Sequence, residues 1–494
     1  MGLGREVESF IETYVSLLEN GTAAIFAGAG LSCSAGLKDW RKLLERVAEE
    51  LRLNISLETD LVALAQYYHN KKKRTGLNQI IKNAFGANTQ PSENHKILAK
   101  LPIKTYWTTN YDSLIEKSFE NCGKTIDVKR KNEDLTTVIQ RSDAVIYKMH
   151  GDITSIDDTV ITKDEYETYS YKREPFRNAL KYDLLSKTFL FIGFSFEDPN
   201  LLHILGTIKI LLQDSMKEHY CIMKKVSRDD FCSGNSELDE KNCQYEQIKR
   251  ELRIEDLQKR YSINVLEVDE YSDVTAILQE IERRFRTKRV FISGSLVDAK
   301  PYMQKEVEDF VFQLSKDIVR SEYQIISGFG IGIGGALING VLEYVYDETK
   351  YRHIDERLIL WPFPQSIEDE EEKRNKFTKY REDMLSEAGV AIFMFGNKLI
   401  QKGSTIVEAD GVMEEYDIAK KKGVKVIALG CTGGAAKKIW EKQMEVFETY
   451  FPSASYPGLK SFYEKLGEKD LNLEECKKLV LKILDIVHEG TKAN

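Results

Sequence analysis

The stretch AIFAGAGLSCSAG (Ala24–Gly36) runs from a short apolar segment through a glycine-rich turn into a helical pattern. The stretch IISGFGIGIGGALING (Ile325–Gly340) repeats this design in the other half of the chain. Glycines at a strand–helix turn let the backbone approach a phosphate, and the helix N-terminus favours its negative charge. Each turn is equally compatible with simple packing, so the surrounding sequence has to decide its role.

Around both glycine turns, strand-like apolar runs alternate with amphipathic segments. The first half contains AAIFA, TYWTT, DAVIYKM, TFLFIGF, EHYCIM and INVLEV, and the second contains RVFISG, YQIIS, RLILW, GVAIFMF and KVIALG. Segments such as DWRKLLERVAEEL between them have apolar residues at helical spacing. This alternation predicts an α/β protein with two Rossmann-like domains, each built on a mostly parallel sheet covered on both faces.

The length of 494 residues exceeds what one hydrophobic core supports. An amphipathic segment, VTAILQEIERRF, ends shortly before the strand-like run RVFISG, with basic residues between them. We therefore predict one domain over residues 1–285 and a second over residues 286–494.

Bulk properties exclude several classes of protein. A net charge of −8 argues against a sequence-independent nucleic-acid binder, which needs an excess of cations. The start, MGLGREVESF, has no apolar core of a signal peptide, and no run of 18 apolar residues suggests a membrane span. The seven cysteines, an odd number without tight spacing, favour reduced thiols. We expect a cytoplasmic protein with neither a membrane nor a nucleic acid as partner.

Polar side chains follow four of the predicted strands in the first half. The carboxyl ends of parallel strands share one edge of the sheet, where ligands bind. A single histidine is more often structural, but four such strand ends together predict a ligand site. The residues at these ends are Gly28, Gly30 and Ser32, then Asn110 and Asp112, then His150, and finally Ser195 and Asp198.

The ordered motifs GAG-x-S, T-x-N-x-D, HGD and G-x-S resemble those of the sirtuin NAD-binding domain, over about residues 10–270. The resemblance implies that Asn110 and His150 are catalytic. The GLKDW stretch (Gly36–Trp40) lies where sirtuins have a nicotinamide-side loop, which adds Asp39 and Trp40 as weaker candidates. The implied NAD contacts are Gly28, Ala29, Gly30, Ser32, Asp39, Asp112 and Ser195.

These residue types suit cleavage of the nicotinamide–ribose bond. The reaction develops positive charge on the sugar and needs a group that manages a proton, for which an imidazole is well suited. An amide such as Asn110 can hold a water molecule against the anomeric carbon.

The first half departs from the sirtuin deacylases in its cysteines. Those enzymes carry a zinc module with two Cys-x-x-Cys pairs, whereas Cys221, Cys232 and Cys243 lie eleven residues apart. We therefore expect no metal site, no zinc and no cofactor beyond NAD+ as the substrate, with water as the acceptor. Two alternatives stay open: an NAD-dependent protein deacylase and a non-enzymatic nucleotide-binding scaffold.

In the second half, Gly330, Gly332 and Gly335 satisfy G-x-G-x-x-G between a predicted strand and helix. Arg381 and Lys398 flank a later strand, and an arginine fork suits a pyrophosphate. A carboxylate can read ribose hydroxyls, although such charges are also common on helix surfaces. The carboxylate candidates are Glu408, Glu414 and Glu415.

This half resembles the SLOG family of Rossmann-like nucleotide sensors. The related phosphoribohydrolases carry PGG-x-GT-x-x-E, which QKGSTIVE (Gln401–Glu408) only approximates, so binding is expected rather than catalysis. Hydrolysis of a nucleoside monophosphate in this half remains a further alternative. The implied ligand contacts are Ser293, Gly294, Ser295, Gly328, Phe329, Gly330, Gly332, Arg381, Lys398 and Glu415.

A sirtuin-like domain followed by a SLOG domain resembles the NAD-cleaving effectors of the Thoeris antiphage defence system. The resemblance implies an NADase that is switched on when a cyclic ADP-ribose isomer binds the SLOG domain. In that family a TIR-domain partner makes the isomer, and NAD depletion causes abortive infection. A homo-oligomer, in particular a tetramer, is expected on the same grounds.

Overall fold

The computed structural model describes residues 4–86, 89–347, 354–364, 366–399 and 405–492. The chain divides into two compact units between Glu282 and Arg283. Each unit has its own parallel sheet.

The sheet of the first unit has seven parallel strands, which are β1 (Ala23–Ala27), β2 (Thr105–Thr108), β3 (Ile126–Lys129), β4 (Ala144–Lys148), β5 (Thr188–Ile192), β6 (His219–Lys224) and β7 (Ile263–Val268). They lie in the order β3-β4-β2-β1-β5-β6-β7. Strand β1 pairs with β2 on one side and β5 on the other, which makes its carboxyl end the switch point where ligands bind in such sheets. Every residue of β1 and of β5 is buried, as expected for strands covered on both faces.

Helices connect and cover these strands. Several begin at an acidic N-cap: Asp60 accepts a hydrogen bond from Ala63 N and Asp39 accepts one from Lys42 N. The last helix crosses the division between the units. The helices are α1 (Arg5–Glu19), α2 (Ala29–Cys33), α3 (Trp40–Leu51), α4 (Leu61–Phe85), α5 (Glu93–Lys100), α6 (Leu114–Asn121), α7 (Lys163–Lys172), α8 (Glu174–Ser186), α9 (Pro199–Leu212), α10 (Ser236–Tyr261) and α11 (Tyr271–Thr287).

The strands of the second unit are β8 (Arg289–Ser295), β9 (Gln324–Ser327), β10 (Leu358–Leu360), β11 (Val390–Phe395), β12 (Asn397–Leu399), β13 (Ile406–Glu408) and β14 (Lys425–Ala428). Five of them form a parallel sheet in the order β10-β9-β8-β11-β14, while β12 and β13 form a separate antiparallel pair. Val290 and Ile292 of β8 pack into one apolar cluster, while Phe291 between them packs into another. Both faces of the five-stranded sheet are therefore covered.

The helices of the second unit follow the same alternation. Apolar residues of the first, second and last of them fill the cluster around Val290 and Ile292. They are α12 (Gln304–Arg320), α13 (Gly334–Asp347), α14 (Glu370–Glu387), α15 (Asp410–Lys421), α16 (Gly434–Glu445), α17 (Phe447–Tyr450), α18 (Leu459–Lys465) and α19 (Leu473–Lys492).

The predicted fold class, two Rossmann-like parallel-sheet units in one chain, is confirmed. The sequence patterns missed β3 at the edge of the first sheet and the short pair β12–β13. Within the described ranges, no helix combines the length and the apolar character needed to cross a membrane.

Candidate active site

A cleft of about 770 Å³ opens at the carboxyl ends of β1, β2, β4 and β5 in the first unit. It is called the first-unit cleft below. Most of the residues predicted for an NAD site lie around this one space. The predicted residues that line it are Ala29, Gly30, Ser32, Asp39, Trp40, Asn110, Asp112, His150 and Ser195.

The glycines form the contact between two turns at the back of this cleft. Gly30 N donates to Gly193 O at 2.9 Å, and a Cβ on Gly30 would lie 2.7 Å from Gly193 Cα. Gly193 has φ +64°, and a Cβ on Gly28 would clash with its carbonyl. The turn after β1 and the turn after β5 therefore meet backbone to backbone, which only glycine allows.

Asn110 belongs to a chain of hydrogen bonds across the floor. Its Nδ2 donates to Gly28 O and to Ser32 Oγ, both at 2.9 Å. Ser32 Oγ in turn donates to Asp112 Oδ2 at 2.7 Å. Because both hydrogens of Nδ2 are used, contact with a water or a sugar hydroxyl falls to the amide oxygen of Asn110.

His150 is buried at the end of β4 and faces a carboxylate. Its Nε2 lies 3.1 Å from Asp198 Oδ2, but this oxygen is out of line with the ring N–H, so the two groups are close without forming a linear hydrogen bond. The ring also forms T-shaped pairs with the rings of Tyr166 and Tyr169. This geometry places an imidazole and a neighbouring carboxylate in the same cleft as Asn110.

Asp198 also caps helix α9, since its Oδ1 accepts from Leu201 N at 2.9 Å. Burial by itself raises the pKa of this carboxyl, but the charge of His150 and the amides at the start of α9 hold it below its ordinary value. The sequence pattern placed Asp198 at one of the four strand ends but gave it no role, because the pairing with His150 is a tertiary contact.

A buried lysine lies beneath the cleft. Lys148 Nζ is 3.1 Å from Glu116 Oε1 and 3.7 Å from Asp152 Oδ2, and it donates to the carbonyl of Asp112. Burial lowers the pKa of Lys148, but these carboxylates outweigh it, so the net shift is upward. The amine joins the turn that carries Asn110 to the turn that carries His150. Its signal in the sequence is a lysine at the end of an apolar strand.

Two of the predicted contacts lie at the rim. The side chain of Asp39 caps α3 through Lys42 N at 2.8 Å, so it is partly engaged. Ser195 is exposed, and its carbonyl accepts a hydrogen bond from Arg253 of helix α10. Both residues are placed to touch a ligand in the first-unit cleft rather than to form its floor.

In the second unit, the other glycine loop packs against the end of β8. A Cβ on Gly330 would clash with Gly294 O, and one on Gly332, which has φ +79°, would clash with Leu296 O. The side chain of Phe329, which has φ +59°, is half exposed. The structure therefore brings together the loops that sequence analysis assigned to a ligand's phosphates.

Beside these loops, Ser293, Arg381 and Glu415 form what is called the second-unit site. Ser293 Oγ donates to Glu415 Oε2 at 2.5 Å, and Arg381 Nε lies 3.5 Å from Glu415 Oε1. Arg381 also pairs with Glu414 at 3.0 Å and lies over the ring of Phe363. Burial raises the pKa of Glu415.

The remaining candidates of this half are tied to other partners. Lys398 pairs with Asp410 at the start of α15, and Glu408 pairs with Lys438 at 2.6 Å. Ser295 Oγ donates to Asn397 O at 2.9 Å. Residues 401–404 of the QKGSTIVE segment lie outside the described residues.

Comparison with known families defines the class of protein. A SIR2-like domain model matches residues 104–248, and the Sir2- and TIR-associating SLOG family model matches residues 273–487. The chain thus combines a SIR2-like unit, which contains the first-unit cleft, with a SLOG-family unit, which contains the second-unit site.

Similarity to curated proteins identifies the family within this class. The chain is 42% identical to NAD(+) hydrolase ThsA of Cytobacillus dafuensis over 492 residues, which is 99% of the chain and 98% of the relative. It is 44% identical to NAD(+) hydrolase ThsA of Bacillus cereus (strain MSX-D12), covering 97% of the chain and 98% of the relative. The chain belongs to the ThsA family.

Proposed function

We propose that the chain hydrolyses NAD+ to nicotinamide and ADP-ribose in its first-unit cleft. The observation that carries the proposal is the convergence of Asn110 and the His150–Asp198 pair on one cleft at the switch point of the sheet. Nearly full-length similarity to proteins named NAD(+) hydrolase ThsA supports it.

In the proposed reaction, the backbone at Gly28–Gly30 approaches the pyrophosphate, helped by the N-terminus of α2. The amide oxygen of Asn110 orients water toward the anomeric carbon from which nicotinamide leaves. His150 takes a proton during this step, and Asp198 stabilises the resulting imidazolium. Water is then the acceptor, and no acyl-lysine substrate is needed.

We further propose that the second-unit site is a receptor for a cyclic ADP-ribose isomer made by a TIR-domain partner. The name of the matched family, which pairs Sir2, TIR and SLOG, supports this assignment. Arg381 is held by Glu414 and Glu415, so an entering phosphate can exchange for these carboxylates and stabilise a different arrangement. The chain then acts in the cytoplasm as a homo-oligomeric antiphage effector, in particular a tetramer, whose NAD depletion causes abortive infection.

The test is nicotinamide release by the purified full chain, with and without cyclic ADP-ribose isomers. We expect release that rises with the correct isomer and falls at least about 100-fold in His150→Ala, since general acid–base groups contribute about 10²–10⁴-fold. His203→Ala, which changes an exposed histidine on α9, is the matched control. If His150→Ala kept most of the activity, the catalytic assignment would be wrong.

The same preparation distinguishes the alternatives. Acyl-lysine peptide consumed in step with NAD+ would indicate a deacylase, and no nicotinamide release with any isomer would indicate a scaffold. Free base released from a nucleoside monophosphate by the His150→Ala chain would place hydrolysis in the second unit.

A further inference from the structure

Helix α10 of the first unit carries apolar residues on two opposite faces. Its inner face buries Cys243, Leu257 and Tyr261. Its outer face has a second apolar series, called the outer stripe, whose members are 47% to 65% exposed. A helix on the surface of a single chain normally shows solvent a polar face. The outer stripe consists of Leu238, Tyr245, Ile248 and Leu252.

The spacing of the outer stripe is that of a coiled-coil seam. Leu238, Tyr245 and Leu252 are seven residues apart, and Ile248 follows Tyr245 by three, which corresponds to positions a and d of a heptad repeat. Lys241 and Glu255 occupy the other two d positions, where their apolar stems can cover neighbouring side chains. An apolar seam with this spacing is suited to packing against another helix rather than to exposure to solvent.

The charges along α10 indicate that the partner helix is a second copy of α10 in antiparallel orientation. Residues 236–246 contain four carboxylates and one lysine, whereas residues 247–261 contain five basic and three acidic side chains. A parallel copy would place acid against acid. An antiparallel copy places the acidic half of each helix beside the basic half of the other, which favours the pairing and fixes its direction.

We propose that α10 is a self-association surface, which pairs antiparallel with α10 of a second copy around a twofold axis between Glu246 and Gln247. In this register Tyr245 of each copy meets Ile248 of the other, and Leu252 meets Lys241. The layers share one twofold, as an isologous dimer contact requires. The overlap of residues 236–257 is about 33 Å long at 1.5 Å per residue.

This surface adjoins the first-unit cleft. Lys249 of α10 lines the cleft, and Arg253 donates to the carbonyl of Ser195 and lies 3.6 Å from Glu197 Oε1. Pairing through α10 would therefore limit the motion of the residues at the cleft opening, where NAD+ is proposed to enter. The inference rests on the proposed homo-oligomer and is independent of whether NAD+ is hydrolysed.

The first experiment is sedimentation velocity of the full chain over a range of concentrations. Ile248→Asp puts a carboxylate into the central layer, and we expect it to reduce the assembly mass by half or more at a concentration where the unsubstituted chain is assembled. Val138→Asp, at a residue 77% exposed and away from α10, is the matched control and should assemble normally. Circular dichroism establishes that both variants are folded.

The second experiment tests the register by mild oxidation. Lys241→Cys combined with Leu252→Cys places facing cysteines across the twofold and should give a crosslinked dimer on a non-reducing gel. Lys241→Cys combined with Ile248→Cys leaves each cysteine without a facing mate and should give no more dimer than the unsubstituted chain.

If the assembly persists in Ile248→Asp, or if both cysteine pairs crosslink equally, the chain forms an oligomer through a surface other than α10. A monomer at all concentrations would overturn the surface and the oligomer together. Nicotinamide release by the same sample shows separately whether the proposed hydrolysis holds.

Discussion

Asp198 contacts two parts of the first unit with its two oxygens. One oxygen faces His150 Nε2 at 3.1 Å and the other caps α9 through Leu201 N. Asn caps helices about as well as Asp but carries no charge. We expect Asp198→Asn to lower kcat for nicotinamide release by about 10–100-fold, or roughly 1.4–2.7 kcal/mol of transition-state stabilisation, with Tm nearly unchanged.

The variant Asp198→Ala separates the two roles further. It should match Asp198→Asn in kcat but also lose about 1 kcal/mol of stability, because the cap is gone. A kcat unchanged in Asp198→Asn would show that the carboxylate does not assist His150.

His219 is buried away from the first-unit cleft and links stability to pH. His219 Nδ1 accepts from Phe189 N at 3.1 Å, and burial lowers the pKa of His219 to about 3. In the unfolded chain its pKa is about 6.5, so its contribution is present above pH 6.5 and is lost as pH falls toward 3. We expect this histidine alone to reduce the free energy of unfolding by about 2 kcal/mol between pH 7 and pH 5.

Urea unfolding of the first unit at pH 7 and pH 5 measures this loss. His219→Gln should be less stable at pH 7 but should show a smaller difference between the two pH values. His203→Gln, at the exposed histidine of α9, should retain the full difference. An equal pH dependence in His219→Gln and in the unsubstituted chain would contradict the argument.

At the scale of residues, sequence motifs predicted Asn110 and His150 because each follows a strand that ends at the shared edge. The motifs did not predict which side chains form hydrogen bonds or ion pairs with Asn110 and His150. Ser32 and Asp112 are 80 positions apart in the chain yet share a hydrogen bond. Contacts of this range depend on how the turns pack and leave no periodic trace in the sequence.

At the scale of elements, the two turns that meet at Gly30 and Gly193 decide the shape of the cleft. A methyl group at Gly30 would lie 2.7 Å from Gly193 Cα, so the turns must separate. We expect Gly30→Ala to destabilise the first unit by about 1–3 kcal/mol and to raise KM for NAD+ at least tenfold. Thermal unfolding and steady-state kinetics measure the two effects.

Gly206 provides the matched control for this substitution. It lies within helix α9, and a methyl group added there would meet nothing within 4 Å, so Gly206→Ala should be neutral or should stabilise by up to about 1 kcal/mol. If both alanine variants behaved alike, backbone contact between the two turns would not be what shapes the site.

Most strands could be predicted from the sequence because they are buried. Strands such as β1 and β5 are covered on both faces and therefore read as continuous apolar runs. Strand β3 was missed because its buried positions are Asp127 and Lys129, which form an ion pair at 2.8 Å. Hydrophobic patterning cannot detect a strand whose buried side chains are charged.

At the scale of the whole molecule, the proposed sensor and the proposed active site lie in different units. Arg381 is the cation of the second-unit site, held by Glu414 and Glu415. We expect Arg381→Ala to prevent activation at an isomer concentration that saturates the unsubstituted chain, because the phosphate loses its bidentate partner. Arg374→Ala, which changes an exposed arginine on the same helix α14, should activate normally. Full activation of Arg381→Ala by the isomer would show that the second-unit site is not the receptor.

Linkage between two sites is reciprocal, and this sets a stricter test of the proposed regulation. If the isomer favours the arrangement that binds NAD+, then NAD+ must tighten isomer binding by the same factor, typically about 5–150-fold. The His150→Ala chain allows the measurement, because its slow hydrolysis lets NAD+ be held at saturation during the titration. Isothermal titration of the isomer into this variant should give a lower Kd with NAD+ than without it. An identical Kd in both conditions would mean that the isomer acts on the chemical step rather than on NAD+ binding, and a receptor that gates entry to the cleft would then be excluded.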